Sequence, residues 1–522
     1  GFYHEIIQHI LDQGYTTAVE DVPFRVMDLR HMLDSGGFKH NFPSYDHLYQ
    51  QTLLAKTPPL LYLTDADVYS ITHTLFYLAD FGFRPIEAIP GEQLPTVCWI
   101  IGALLGIYLR SSNWDLVGEL LLACRCLRWP PPFVFDTAWD ALLDAQLPDG
   151  SIPGPEFLKE EMQKLNELER RTYCFEKNYH TTLVSALACF LSAEWITNRC
   201  PGHGIAMRDR MTTCLPPSAE QVSLLAFRAR TWLQGLSELT CSDTRIPMTS
   251  ILQIFVGLWI CEKALGTDTG KSVAQSLACE VQRRLDLEEQ DASSALLRCD
   301  AALVLLSAGI LRVFDSKSTT MELFIQKVAF SIQVHEDQDQ TEAAELFATR
   351  FILHNLHLHP EPGTYRVNSP RITSGMNLFQ ADESVIRLVT ANIAAATAYG
   401  QKPPSVEPEL LEQLAIALSV WMLYYLRQYN LEVGTLLLRT MNYLHLREVA
   451  AFQTGLNFVI AQQQPDGRFG FLAPEASHIR SIKPDLDEIL DLYLPLTVSC
   501  LWAIAEATDP DFILVSSPRS QL

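Results

Sequence analysis

The chain has 522 residues, with 61 Asp and Glu against 39 Lys and Arg, for a formal net charge of −22. This balance argues against nucleic acid as a partner, because a phosphate backbone requires a basic surface. Hydrophobic residues make up 48% and charged residues 19%, which excludes a disordered chain and predicts a sizeable core. The 25 glycines and 29 prolines are too few for a turn-dense all-β chain.

Helical periodicity of apolar residues recurs along the chain, whereas period-two alternation of β-branched residues is hard to find. The sequence therefore predicts an all-α fold. Proline-rich segments at 129–132, 215–218, 359–363 and 402–405 separate the periodic stretches. In chain order, the clearest predicted helices are residues 67–79, 114–127, 181–196, 249–265, 292–311, 383–398, 409–429 and 486–506.

No segment is predicted to span a membrane. The longest uninterrupted apolar run, residues 97–109, is shorter than the ~20 residues that a spanning helix needs. The first residues lack the basic and apolar regions of a secretion signal. The cysteines are scattered through apolar stretches, as is typical of core thiols in a reducing compartment. We expect a cytoplasmic protein, and leave open peripheral membrane contact for a lipid-like substrate.

One short pattern occurs twice. Residues 141–152 align with residues 458–469 on a shared Gln-x-Pro-Asp-Gly string that follows an apolar helical stretch. Gly150 and Gly467 can supply the positive φ that ends a helix. The glutamine amide can bind loose carbonyls there, and the apolar residue two positions after the glycine can pack back onto the helix. The pattern predicts the same helix-ending clamp at both places.

The second copy resembles a known motif. Gly455, Phe458, Gln463, Gly467 and Phe469 match the spacing of the QW repeat of the terpenoid cyclase superfamily, with phenylalanine in place of tryptophan. Ahead of the first copy, the Phe-Asp-Thr-Ala-Trp string at 135–139 is similar to a segment of squalene–hopene cyclases and class II diterpene cyclases.

The resemblance implies an (α/α)6 toroid of helical hairpins around an apolar cavity. Six hairpins need fewer residues than the chain has. We therefore expect residues 1–60 to form an N-terminal helical extension and residues 61–522 to form the toroid. An internal boundary near 213–218 is possible, because a proline-rich segment lies there. Related toroids serve several activities, so the function must be argued from a site.

An acidic string near the last predicted helix is the first candidate site. Class II terpene cyclases protonate an alkene with an aspartate of an Asp-x-Asp-Asp motif, held protonated in a poorly solvated cavity. The nearest string here is residues 484–488, in which Asp485 or Asp487 would donate the proton. The alternative is structural, because Asp485 with Glu488 three residues later is also the pattern of a capping box.

Two histidines inside apolar helices are the second candidate site. His73 and His180 are each flanked by threonines and a tyrosine, which can fix one tautomer and leave the other ring nitrogen for proton transfer or for a metal. The alternative is a hydrogen-bonded histidine of the core. If both face one cavity, they become the strongest general acid–base or metal candidates in the chain.

The leading hypothesis is a natural-product biosynthetic enzyme that cyclises an apolar isoprenoid by acid initiation. His73 or His180 would orient the acid or take the final proton. A second hypothesis is a metal- or histidine-dependent enzyme that modifies a peptide or small molecule, and a third is a non-catalytic helical scaffold. No cofactor is predicted, and a divalent metal is left open. The expected partner is an apolar small-molecule substrate.

Overall fold

The computed structural model describes residues 2–131, 133–197, 217–242, 246–266, 270–287, 301–313, 379–404, 406–470 and 484–509, with short pieces at 322–323, 325–326, 353–354 and 512. Within these ranges the chain is all-helical and forms no β-strand. It divides into two compact units, Gly1–Thr213 and Cys214–Leu522.

The helices of the first unit are α1 (Phe2–Asp12), α2 (Pro23–Ser35), α3 (Tyr45–Gln51), α4 (Asp65–Ala79), α5 (Leu94–Arg110), α6 (Trp114–Leu127), α7 (Val134–Asp144), α8 (Lys159–Gln163) and α9 (Glu167–Thr197). Helix α6 is central, since it packs against α4, α5, α7 and α9. It begins at Asn113, whose side chain accepts from the Leu116 N–H at 3.3 Å, and nearly all of its residues are buried. Helix α2, within the expected extension, packs against α4.

The helices of the second unit are α10 (Ala219–Ser242), α11 (Met248–Leu265), α12 (Gly270–Leu287), α13 (Ala301–Val313), α14 (Glu383–Ala396), α15 (Pro408–Arg427), α16 (Leu431–Tyr443), α17 (Ala450–Ala461) and α18 (Leu486–Thr508). Helix α18 contains a π-helical turn at Ile489–Tyr493. Helix α16 packs against α14, α15, α17 and α18, as α6 packs against its four neighbours in the first unit. It also begins at a capping asparagine, Asn430, which accepts from the Val433 N–H at 3.1 Å.

The backbone turns show that α4–α5–α6–α7–α9 and α14–α15–α16–α17–α18 are two copies of one arrangement. After α4, three consecutive residues, 80–82, have φ of 50°, 52° and 90°, and after α14 the residues 398–400 have φ of 49°, 55° and 82°. Left-handed residues other than glycine are uncommon, and two of them followed by a glycine recur at the same point of both copies. The turns before α6 and α16 and those after these helices repeat in the same way: Ser112 and Tyr429 have φ of 54° and 57°, and Arg128 and His445 have φ of 52° and 58°.

The predicted clamps are the most detailed part of this repeat. Gly150 has φ 86° and Gly467 has φ 103°. In each copy the glutamine four residues earlier donates to the glycine carbonyl, at 2.9 Å and 3.1 Å. The N–H of the following apolar residue then donates to a threonine of the next long helix, Thr182 of α9 at 2.9 Å and Thr497 of α18 at 3.0 Å. The clamp therefore ties the end of one helix to the middle of another in both copies.

Most predicted helices occur in the described part of the chain. Helix α6 has the predicted bounds, and α4, α11, α14, α15 and α18 differ from prediction by a few residues. Residues 181–196 form the second half of the longer α9. Residues 301–311 lie in α13, whereas residues 292–300 of that prediction lie outside the described residues. The all-α class is confirmed.

Three helices in the described ranges are long and apolar enough, by length and composition, to cross a membrane: Met248–Leu265, Pro408–Arg427 and Leu486–Thr508. The sequence prediction of no spanning segment rested on uninterrupted apolar runs and so passed over these helices. Between 61% and 67% of the apolar window of each is buried within the protein. Their apolar residues thus also serve as core of the second unit.

Candidate functional site

A pocket of about 320 Å³ lies in the first unit and is lined by Phe24, Arg25, Ala66, Tyr69, His73, Glu119 and His180. Helices α2, α4, α6 and α9 contribute these residues. The structure therefore brings His73 and His180 to the same pocket, the arrangement that makes them the strongest acid–base candidates.

Asp115, at the start of α6, connects three of the helices that line this pocket, α4, α6 and α9. Its side chain is buried, and its carboxylate accepts from Tyr69 of α4 at 2.5 Å, from His180 of α9 at 2.9 Å and from Thr181 of α9 at 2.8 Å. A buried carboxylate is stable only when it is hydrogen-bonded, and these three donors satisfy it. Burial and the bond to Asp115 raise the pKa of Tyr69 well above its usual range, so Tyr69 stays a donor.

Glu119 lies one turn further along α6 and is 1% exposed. Thr72 donates to its Oε2, and His73 Nδ1 is 3.5 Å from the same oxygen. Burial raises the pKa of Glu119 to about 8, Thr72 lowers it, and the charge of Asp115 raises it further. Glu119 is thus a carboxylic acid that is mostly protonated at neutral pH and lines a pocket.

His73 is oriented by its own helix. Its Nδ1 lies 2.8 Å from the carbonyl oxygen of Tyr69, and since a carbonyl only accepts, Nδ1 carries the proton. The other ring nitrogen, Nε2, is therefore the basic atom. Burial lowers the pKa of His73 and its bond to Tyr69 raises it, while the positive charge of Arg25 lowers it. These effects leave His73 as a neutral base at pH 7.

His180 is oriented by a carboxylate. Its Nδ1 binds Asp115 at 2.9 Å, and its side chain is 55% exposed. An aspartate that holds Nδ1 fixes the tautomer in which Nε2 can take up and release a proton. The flanking threonines were expected to do this, but Thr181 also donates to Asp115 and Thr182 binds the Ile152 N–H.

Asp485 and Asp487 lie at the start of α18, in the second unit. Asp485 accepts from the Glu488 N–H at 2.8 Å and caps the helix, as the structural alternative predicted. Both side chains are exposed, whereas a cyclase acid requires a poorly solvated cavity. Their assignment as proton donors stays a prediction that this geometry does not favour.

The second helical copy provides an internal comparison for the site. The register follows from shared contacts, since Thr72 and Thr390 each bond to the carbonyl three residues earlier, at 3.1 Å and 2.9 Å. A second pair of contacts also matches. Arg125 of α6 donates to the Leu191 carbonyl at 3.0 Å, and Asn442 of α16 donates to the Glu506 carbonyl at 3.1 Å.

In this register His73, Glu119 and His180 have no ionisable counterpart. Position 73 corresponds to Ala391, position 119 to Leu436 and position 180 to Pro495. Asp115 corresponds to Glu432, an exposed residue that pairs with Arg387 at 2.7 Å. The same helix packing therefore forms without His73, Glu119 and His180, so the fold itself does not require them.

Four residues of this site were not predicted from the sequence: Asp115, Glu119, Tyr69 and Arg25. A signal for two of them was available, because Asp115 and Glu119 are four residues apart in a helix that is otherwise mostly apolar. Residues at this spacing lie on the same face, and acids on a buried face are costly unless they serve a purpose.

Metal binding was the other expected use of the two histidines. Across the described ranges, no group of three or more His, Cys, Asp or Glu residues is arranged to hold a metal ion. Both carboxylates near the histidines are already bonded to hydroxyl donors, at Tyr69, Thr181 and Thr72. A metal at this site stays a prediction.

Comparisons with known proteins give one match. A family model described as "Domain of unknown function (DUF6895)" matches residues 2–190, a span that lies within the first unit and includes every residue of the pocket. No curated protein and no solved structure matches the chain.

Proposed function

We propose that the protein is an enzyme that catalyses proton transfer on a small molecule by general acid–base catalysis in the first-unit pocket. The observation that carries this proposal is the approach of His73 Nδ1 to the buried carboxyl group of Glu119, at 3.5 Å, in one pocket. Burial raises the pKa of Glu119 to about 8 and lowers the pKa of His73, and environments that separate two pKa values in this way assign one group as acid and the other as base at pH 7.

Each residue has a distinct role in the proposal. His73 accepts a substrate proton at Nε2, because Nδ1 is committed to the Tyr69 carbonyl. Glu119 donates a proton or a hydrogen bond to an oxygen or nitrogen that gains negative charge. His180, oriented by Asp115, exchanges protons between the pocket and solvent, since its ring is largely exposed. The ionisable lining argues against the non-catalytic scaffold, which would need none.

A generic substrate tests the proposal before the natural one is identified. 5-Nitrobenzisoxazole is small and neutral; a base removes its C3 proton, the C–H electrons form a nitrile, and the N–O bond breaks to release a coloured phenolate. We expect the protein to exceed the rate of an equal concentration of imidazole, and His73→Ala to lose at least about tenfold of that rate. His9→Ala, a variant of an exposed histidine on α1, should retain it. Equal rates for wild type and His73→Ala would refute the proposal.

Acid-initiated cyclisation remains a second candidate, with a different acid. Glu119 is buried and its pKa is raised to about 8, whereas Asp485 and Asp487 are exposed. The two matching clamps support the hairpin repetition of the terpenoid cyclase resemblance, and the (α/α)6 toroid belongs to this candidate. Cyclised products from a short isoprenoid such as geraniol, lost in Glu119→Gln and retained in Asp487→Asn, would favour it.

A further inference from the structure

Arg25 places a positive charge at the edge of the proposed acid–base pocket. It lies in the first turn of α2 and lines the pocket beside Phe24, with its guanidinium carbon 5.2 Å from the centre of the Phe24 ring. The Phe24 ring in turn contacts His73 edge-on, with the ring centres 6.0 Å apart. The charge, the aromatic surface and the proposed base are therefore adjacent.

The guanidinium group of this arginine makes no ion pair and no hydrogen bond with the residues that the structure describes. Other arginines of the first unit do, since Arg30 pairs with Asp34 at 3.3 Å and Arg171 with Glu167 at 2.9 Å. The contrast is informative in a chain with a net charge of −22, where acidic partners are abundant. An arginine at a pocket without a carboxylate partner can bind an anionic ligand through its paired donors.

The other lining groups do not oppose an anion. Glu119 is mostly protonated at neutral pH because burial raises its pKa to about 8, and Asp115 is covered by three donors. Phe24, Ala66 and Tyr69 provide an apolar wall. A volume of about 320 Å³ lies at the small end of the range for small-molecule pockets.

We infer that the pocket binds a small carboxylate whose carboxyl group pairs with Arg25 and whose apolar body lies against Phe24, next to His73. This inference rests on the proposed function, because it names the substrate class of the same site. Arginine binds a planar carboxylate through two parallel hydrogen bonds. That geometry would fix the distance from the anchored carboxyl group to the atom that exchanges a proton with His73.

Fluorine NMR with two matched probes tests the inference. 4-Fluorobenzoate and 4-fluorobenzamide have the same shape, but only the first is charged. For the wild type we expect the carboxylate to bind at least about tenfold more tightly at constant ionic strength. Arg25→Gln should remove the difference, Arg25→Lys should keep part of it, and Arg171→Gln should keep all of it. Equal binding of the two probes to the wild type, or an unchanged difference in Arg25→Gln, overturns the inference.

Two further results separate the possible failures. If inorganic phosphate displaces the fluorine probe at lower concentration than benzoate does, the site is a phosphate site and the carboxylate class is wrong. If the wild type accelerates proton removal from neutral 5-nitrobenzisoxazole but does not prefer 4-fluorobenzoate, the acid–base site stands and only the substrate class falls. If the wild type neither prefers 4-fluorobenzoate nor accelerates proton removal from 5-nitrobenzisoxazole, the proposed function fails as well.

Discussion

Replacing Glu119 with glutamine should remove the pH dependence of stability that this residue imposes on the first unit. Burial raises the pKa of Glu119 from 4.5 to about 8 in the folded chain. Between these two values the folded state binds more protons at this group than the unfolded state does. Stability therefore falls as pH rises through this window, and the full contribution is present only below about pH 4.5.

The size of the effect follows from the two pKa values. At about 1.4 kcal/mol for each tenfold change in proton affinity, the difference between 4.5 and about 8 corresponds to roughly 5 kcal/mol. Glu119 is 1% exposed, so solvent screening reduces this little. Glutamine has the same shape, can still accept from Thr72 and does not ionise. We expect the two proteins to be similarly stable at pH 5, and Glu119→Gln to be more stable by several kcal/mol at pH 9.

Urea unfolding followed by circular dichroism at pH 5, 6, 7, 8 and 9 measures this difference. Comparison at each pH cancels the contributions of the other titrating groups. The matched control is Glu167→Gln, since Glu167 is an exposed glutamate of the same unit and its removal should leave the pH profile unchanged. A difference between wild type and Glu119→Gln that is constant from pH 5 to pH 9 would refute the buried, protonated state of Glu119.

Three further outcomes follow from the structure. Burial lowers the pKa of His73, so below about pH 6.5 the unfolded chain binds more protons at this residue than the folded chain does. The wild type should therefore lose stability as the pH falls below this value, and His73→Asn should lack this contribution. Acid unfolding curves of the two proteins measure the difference. Asp115→Asn should cost about 1–3 kcal/mol, because its amide cannot accept from all three donors, and NMR should show a change in the His180 tautomer. Gly467→Ala should destabilise the protein by more than about 1 kcal/mol in thermal unfolding, because the new Cβ would lie 2.1 Å from the Arg228 carbonyl oxygen and the residue has a φ of 103°. The control is Gly91→Ala, whose Cβ meets no atom within 4 Å and which should not cause this loss.

The sequence predicted the all-α fold class but only part of the repeated five-helix arrangement, because only some of its features depend on residue type. Helical periodicity is strong in buried helices such as α6 and α15, so these elements could be predicted. The clamp at Gly150 and Gly467 was visible because glycine marks a positive φ. The other repeated turns use Ser112 and Tyr429, which carry no preference for that region. Their equivalence follows from the backbone and not from residue type.

The candidate site was predicted in part for a similar reason. His73 and His180 stand out in sequence because histidine is unusual inside an apolar helix. Nothing local indicates that Asp115 reaches His180, since these residues are far apart along the chain and meet only when α6 packs against α9. Asp485 was a candidate because an acidic catalytic motif and a helix cap have similar amino-acid sequences. Exposure separates them, and exposure is a property of the folded chain.

The pH–rate profile for elimination of 5-nitrobenzisoxazole tests the acid–base assignment most directly. With His73 as base and Glu119 as acid, the rate should rise along a limb below pH 6.5 and fall along a second limb near pH 8. The falling limb should vanish in Glu119→Gln, and the whole profile should collapse in His73→Ala. A wild-type profile that follows free imidazole, with one limb and no sensitivity to either substitution, would contradict the account.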